Sequence, residues 1–224
     1  MSSRLVMFSA VGTHGPVLSP IADFILDLLF VSFAFVLFSM SKPSKMQSVL
    51  FCVFVVVIVA GRILLQPLPN VQPVTLAVLL MGAHQGVQRG VSFALLVTLL
   101  SNLFIGDGWW TLFQALGWSA VAILGAGVAS KSKEMLDFKM LLILSAISAI
   151  LFDFITTFSL VNDSTTLTDF VSILYSGLMY DAFHILGNMS FAVWFGHTMQ
   201  QFLLPLPEIT EDIQLVEDVY VVRG

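Results

Sequence analysis

The last apolar segment of the chain carries three polar side chains on one helical face. Asp181, His184 and Asn188 are spaced i, i+3 and i+7, which places them along one side of an α-helix. Such groups are costly inside a membrane and usually line a cavity or a functional site. We therefore predict that His184 and Asn188 line a ligand cavity. The alternative is that they only hydrogen-bond neighbouring helices together.

A second set of polar and aromatic residues precedes this face in the chain. Gln114 and Trp118 are spaced i, i+4, Asn102 ends the apolar segment before them, and Asp153 lies near the end of the segment after them. An amide within lipid requires a hydrogen-bond partner, and a tryptophan one turn deeper can supply a stacking wall. These residues predict a single polar and aromatic pocket that also includes His184.

Several catalytic and cofactor chemistries are excluded by the residue pattern. His184 and His197 are thirteen residues apart, about 220° around a helix, so they face nearly opposite directions. The single cysteine, Cys52, excludes a multi-cysteine metal site, and no phosphate-loop, nucleophile-elbow or zinc-protease sequence is present. We predict no enzyme activity, catalytic residue, cofactor or metal. The net charge of −5 also indicates no nucleic-acid partner.

The composition indicates which elements position these residues. Of the 224 residues, 58% are hydrophobic and only 10% are charged, against about 25% charged in average proteins. This composition predicts an all-α polytopic membrane protein, because a crossing helix needs about 20 mostly apolar residues. Seven crossings are predicted: 22–41, 46–65, 73–83, 90–104, 110–129, 139–157 and one within 172–204, with a glycine-rich turn at 82–90 between the third and fourth.

Basic residues predict the orientation, because cytoplasmic loops retain positive charge. With the N-terminus outside, only Arg4 and Arg62 lie toward the outer face. Arg62 falls in the last turn of its span, where it can point into a cavity. The C-terminus is then cytoplasmic in a cell (plasma) membrane. The basic residues that fall inside are Lys42, Lys45, Arg89, Lys131, Lys133, Lys139 and Arg223.

Two terminal segments are predicted to lie outside the helical bundle. Residues 1–21 are interrupted by Thr13-His14-Gly15-Pro16 and are expected on the outer surface. Residues 204–224 contain five acidic side chains and are expected to form an acidic cytoplasmic tail. Between them lie an extra transmembrane helix, 22–41, and a six-helix membrane domain, 46–203.

The order of motifs over residues 46–203 resembles the substrate-binding S component of energy-coupling-factor (ECF) vitamin transporters. Gly61-Arg62 is followed by a proline-rich stretch from Pro67 to Thr75, and Gly82, Gly86 and Gly90 frame the turn. Ser101-Asn102 ends one helix and Phe113 to Trp118 opens the next. Leu151 to Asp153 and Phe183 to Asn188 complete the series.

The resemblance implies a six-helix bundle that binds a small water-soluble vitamin or related micronutrient from outside. It implies a transmembrane T component and two ABC ATPases as partners, which would supply ATP hydrolysis. It also implies a lid formed by the first loop, including Pro69, Asn70, Val71, Pro73 and Thr75. The implied substrate-binding residues are Arg62, Asn102, Gln114, Trp118, Asp153, His184 and Asn188. Ser48 and Cys52 replace the alanines that dock the T component in many S components.

Two other functions are compatible with the same residues. A structural accessory subunit of a larger membrane complex would use the extra helix and the acidic tail as docking surfaces. A proton-coupled carrier would use Asp153, Asp181 and His184, although no inverted repeat is evident.

Overall fold

The computed structural model describes residues 8–12, 15–129 and 134–204 of the chain. The described residues form a short antiparallel hairpin followed by six α-helices. The predictions for residues 1–7, for Thr13 and His14, for the basic residues 131 and 133, and for the tail from 205 onward lie outside this range. The elements are β1 (Phe8–Gly12), β2 (Gly15–Leu18), α1 (Pro20–Met40), α2 (Lys45–Leu64), α3 (Val74–Ile105), α4 (Trp109–Ala129), α5 (Phe138–Thr157) and α6 (Leu167–Leu203).

All six helices are long and apolar enough to cross a membrane. They fit a multi-pass membrane protein, and the all-α fold class predicted from composition is confirmed. Helices α1, α2, α5 and α6 begin where a side chain accepts a hydrogen bond from a free N–H group of the first turn. Ser44 and Gln47 form a capping box at α2, and Thr166 and Asp169 form another at α6.

Helix α3 lies at the centre of the bundle, where it contacts each of the other five helices. Every residue from Val74 to Met81 is at most 1% exposed. This stretch is therefore surrounded by protein on all sides, whereas most residues of α1 are not buried within the protein. Because α3 contacts every other helix, the positions of side chains on those helices depend on how each packs against it.

The chain reverses direction within α3, at Gly86. Gly86 has φ of 82° and is not helical, a conformation that glycine adopts without steric cost. A Cβ added to Gly90 would lie 2.9 Å from the Cα of Gly82, whereas residues eight apart in a continuous helix are separated by about 12 Å. The two arms of α3, 74–85 and 87–105, therefore fold back on each other. The predicted turn over 82–90 is narrower than expected, because helical geometry continues to within one residue of Gly86.

Helices α3 and α4 pack with their backbones almost in contact. A Cβ added to Gly82 would lie 2.0 Å from the carbonyl oxygen of Ala122, and one added to Gly125 would lie 2.2 Å from that of Leu79. Small residues permit this kind of approach between membrane helices. The close packing fixes the register of α4 against the first arm of α3.

Three features differ from or add to the sequence prediction. Helix α6 begins at Leu167 rather than near residue 172, and its 37 residues extend about 55 Å, more than the roughly 30 Å hydrocarbon core. The N-terminal hairpin was not predicted. The extra helix α1 packs on the second arm of α3, where the Ser92 hydroxyl donates to the carbonyl oxygen of Ala34 at 2.9 Å.

Candidate functional site

The last turn of α2 directs Arg62 into the bundle, at the end opposite Arg89. Arg62 is only 5% exposed, and its side chain contacts α3, α4 and the loop after α2. The guanidinium donates four hydrogen bonds, all to uncharged acceptors. Nε donates to Gln72 Oε1 at 2.9 Å. Nη1 donates to Asn102 Oδ1 at 2.8 Å and to the Ser101 hydroxyl. Nη2 donates to Gln114 Oε1 at 3.3 Å.

The acceptors around Arg62 are themselves held by a second set of hydrogen bonds. The Asn102 amide donates to Gln114 Oε1 at 2.9 Å and to the Thr111 hydroxyl at 2.8 Å. The Thr111 hydroxyl donates in turn to the Asp107 carboxylate, which also accepts from the Gly108 N–H at 2.8 Å. The start of α4 and the end of α3 thus form one rigid polar unit around the guanidinium.

A hydrogen-bonded chain of four side chains continues from Trp118 into the bundle. Trp118 Nε1 donates to the Thr75 hydroxyl at 3.0 Å, and the Thr75 oxygen lies 2.8 Å from His184 Nε2. His184 Nδ1 lies 2.9 Å from both carboxylate oxygens of Asp153. One arrangement satisfies every atom: the Thr75 hydroxyl donates to Nε2, and a neutral His184 donates its Nδ1 proton to Asp153.

Aromatic contacts join this chain to the arginine. The Arg62 Cζ atom lies 4.8 Å from the centroid of the Trp118 ring, within the range of a cation–π interaction. Phe152 stacks on Trp118 with centroids 4.5 Å apart and meets His184 edge-on at 5.3 Å. Trp118 is therefore the contact between the two polar groups.

The loop 65–73 covers Arg62 and lines most of a partly open cavity of about 140 Å³. The Asn70 amide donates to the Tyr180 carbonyl at 3.3 Å, and Val71 packs on α6 beside Gly187. Pro73 ends the loop against Gly61. The loop thus reaches from the end of α2 to α6 across the arginine. The cavity is lined by Arg62, Leu65, Gln66, Leu68, Pro69, Asn70, Val71, Gln72 and Ile105.

The structure brings six of the seven predicted binding residues into one connected network and leaves one outside it. Asn188 is fully buried and donates only a long bond, 3.5 Å, to the Ser145 carbonyl. Its Oδ1 atom has no partner among the described residues, and neither does the buried Ser148 hydroxyl. The connected residues are Arg62, Asn102, Gln114, Trp118, Asp153 and His184.

One predicted lid residue has a different position from that expected, whereas the predicted docking pair lies on α2, as its spacing indicates. Thr75, predicted as part of the lid, is the second residue of α3, fully buried between Trp118 and His184. It is a fixed member of the network rather than a loop residue. Ser48 and Cys52 lie one turn apart on α2, where the Ser48 hydroxyl donates to the Ser44 carbonyl at 3.0 Å and Cys52 is exposed.

A larger cavity, about 290 Å³, lies at the opposite end of the bundle. Its single charged lining residue is Arg89, which is half-buried and donates to Ser41, Gln47 and Gln85. The remaining lining is mainly apolar. We place the candidate site at the smaller cavity because the buried polar network converges there.

Sequence reasoning missed three residues of the network: Gln72, Ser101 and Thr111. Each contacts a predicted residue directly. Ser101 directly precedes the predicted Asn102, and Thr111 lies three residues before the predicted Gln114, so a polar side chain near a predicted one was the available signal. Gln72 had none, because a glutamine in a loop is ordinarily solvated.

Comparisons of the chain with models of protein families, with curated proteins and with solved structures give no match. The functional argument therefore depends on the geometry of the site.

Proposed function

We propose that this chain is the substrate-binding membrane subunit of an ECF-type importer, and that it captures a small water-soluble vitamin or related micronutrient from outside the cell. One observation carries the proposal: a buried arginine, held by a polar network, lies beneath a loop and lines a cavity together with it. Small-molecule sites combine an enclosed, largely apolar space with a few convergent polar groups. The motif order over 46–203 supports the same function.

The proposed topology has seven crossings in the cell membrane. In this topology each arm of α3 is counted as a separate crossing, with the reversal at Gly86 on the side of Ser41, to which Arg89 is hydrogen-bonded. Because positive charge remains cytoplasmic, the Arg89 end is inside and the Arg62 end is outside. The N-terminus is then external and the C-terminus cytoplasmic.

The loop 65–73 is proposed to act as a lid. Its cavity of about 140 Å³ is smaller than the roughly 300–1,000 Å³ of typical ligand pockets, so a vitamin enters only if the loop moves. Asn70 provides the one side-chain hydrogen bond between the described loop and α6. Movement of the loop separates Gln72 from Arg62 and uncovers the guanidinium. Closure over the ligand then excludes water and strengthens its polar contacts.

The proposed partners are a T-type transmembrane component and two ABC ATPases. This chain is proposed not to be an enzyme, so the ATPases supply ATP hydrolysis. The docking face is the exposed side of α2 that contains Ser48, Cys52 and Val56. Small residues four apart let a partner helix approach closely. A bulky side chain at Cys52 is expected to block that approach.

The test is a mild-detergent pull-down of the tagged protein from its native membranes, with partners identified by mass spectrometry. Recovery of two ABC ATPases and a T-like protein with wild type, and their loss with Cys52→Phe, supports the proposal. Leu116→Phe, on the exposed face of α4, is the matched control and should retain the partners. A stable complex without ATPases would instead make the chain an accessory subunit.

A further inference from the structure

Arg62 is a buried cation without a carboxylate partner among the described residues. It is 5% exposed, and its four acceptors are two glutamines, one asparagine and one serine. The nearest carboxylate along its hydrogen bonds is Asp107, and both Asn102 and Thr111 lie between them. Removing an unpaired charge from water is costly, so such charges are ordinarily paired.

The other carboxylate of the network is already engaged. Asp153 accepts from His184 Nδ1 through both oxygens, and it is joined to the Arg62 group only through Thr75 and Trp118. No carboxylate within the described site therefore contacts the guanidinium, and Arg62 lies at the cavity wall without a direct counter-ion.

The edge of the guanidinium that faces the loop is the one that binds carboxylates. Nε and Nη2 form this edge, and parallel N–H bonds from it to two oxygens are the strongest arginine contacts. Gln72 Oε1 occupies Nε at 2.9 Å. Nη2 has two N–H groups but a single bond, the long one to Gln114 at 3.3 Å. Gln72 belongs to the loop and lines the cavity together with Arg62.

We infer that the substrate is anionic and that its carboxylate or phosphate oxygens replace Gln72 Oε1 on the Nε–Nη2 edge of Arg62 when the loop opens. The inference rests on the proposed function and adds the chemical class of its ligand. The neutral glutamine holds the guanidinium in position without cancelling its charge. An entering anion therefore meets an oriented, desolvated cation whose attraction is not screened by water.

The test measures thermal stabilisation of the full-length chain, purified in detergent, by matched pairs of compounds at constant ionic strength. The pairs are nicotinate with nicotinamide, pantothenate with panthenol, pyridoxal phosphate with pyridoxal, and FMN with riboflavin. The first two pairs report on a carboxylate and the last two on a phosphate. The variants are Arg62→Gln, Arg62→Lys, Gln72→Ala and the control Arg89→Gln.

The expected result is that at least one anion stabilises the wild type while its neutral partner binds at least about tenfold more weakly. Arg62→Gln should remove this preference. Arg62→Lys retains the positive charge but cannot form the bidentate hydrogen bonds, so it should reduce the preference. Gln72→Ala should retain or strengthen it, and Arg89→Gln should leave it unchanged. Arg62→Lys keeps the test decisive if Arg62→Gln does not fold.

The other outcomes separate this inference from the proposed function. Equal stabilisation by both members of a pair would leave vitamin binding in place and overturn the anionic substrate. An anion preference that persists in Arg62→Lys and Arg62→Gln, or that Arg89→Gln removes, would overturn the assignment to Arg62. Stabilisation by no member of the panel would overturn the inference, whereas the proposed function would still be decided by the pull-down.

Discussion

The Nδ1 atom of His184 lies 2.9 Å from both carboxylate oxygens of Asp153, and the pair joins α5 to α6 inside the bundle. Asp153 is 8% exposed and His184 is fully buried. On its other side the imidazole contacts Thr75, which holds Trp118. One acceptor on α5 therefore orients a chain of groups that ends at Trp118, whose ring contacts Arg62 at the candidate cavity.

Removing that acceptor is expected to destabilise the protein. In Asp153→Ala the buried N–H of His184 loses its partner, at a cost of about 1–3 kcal/mol in the free energy of unfolding. Asp153→Asn should cost clearly less, because the amide oxygen still accepts the Nδ1 proton. Thermal unfolding in detergent measures both variants.

Asp163→Ala, in the exposed turn before α6, is the control and should have almost no effect. Equal losses from Asp153→Asn and Asp153→Ala would show that the negative charge, rather than the hydrogen bond, is required.

Helical periodicity predicted the inward face of α6 but not its partner. The spacing places Asp181 on the same face as His184, whereas the carboxylate in contact is that of Asp153 on α5. Periodicity fixes which residues of one helix share a side. The register between two helices depends on the packing of both, so the pairing could not be read from either segment.

The apolar spans were predictable because each reflects local composition and length. The span 73–83 was predicted and α3 begins at Val74, but the burial of Thr75 between Trp118 and His184 depends on how three helices pack and could not be read from that segment. Gln72 was missed for a related reason: a loop that folds back over a buried arginine is a tertiary feature.

Close packing between α3 and α4 should tolerate no added methyl group. Gly125→Ala would place its Cβ 2.2 Å from the Leu79 carbonyl oxygen, and such overpacking typically costs about 1–3 kcal/mol. Gly127→Ala, two residues along the same helix, has no heavy atom within 4 Å of the new Cβ. It should be neutral or stabilising by up to about 1 kcal/mol, because alanine favours the helix over glycine. Urea or thermal unfolding compares the two, and equal stabilities would contradict the packing.

The reversal at Gly86 predicts which loops share a side of the membrane. Cys52→Ser removes the chain's single cysteine, so new cysteines can be labelled one at a time with a membrane-impermeant maleimide. Asp163→Cys should react in intact cells, whereas Lys45→Cys and Val87→Cys should react only after permeabilisation. All three residues are exposed. A continuous α3 would leave Val87→Cys within the membrane and unreactive on both sides, and the opposite pattern at positions 45 and 163 would reverse the orientation.

The contact between the loop and α6 can be trapped covalently. A Cβ at Gly187 would lie 3.5 Å from the Cβ of Val71, within the roughly 3.5–4.5 Å that a disulfide requires. We expect Val71→Cys with Gly187→Cys, in the Cys52→Ser background, to crosslink on mild oxidation. A protease site introduced in the exposed turn 162–165 allows the chain to be cut between the two cysteines. After cutting, the two fragments should migrate as one band without reductant and as two bands with it.

The functional consequence distinguishes a lid from a static loop. If the loop 65–73 must open to admit substrate, the oxidised protein should no longer bind the compound that stabilises the reduced protein, and reductant should restore binding. Val71→Cys with Leu186→Cys is the matched control, because Leu186 is 61% exposed on another face of α6 and should not crosslink. If the fully crosslinked protein bound and released the compound as the reduced protein does, substrate would enter without separating Val71 from α6.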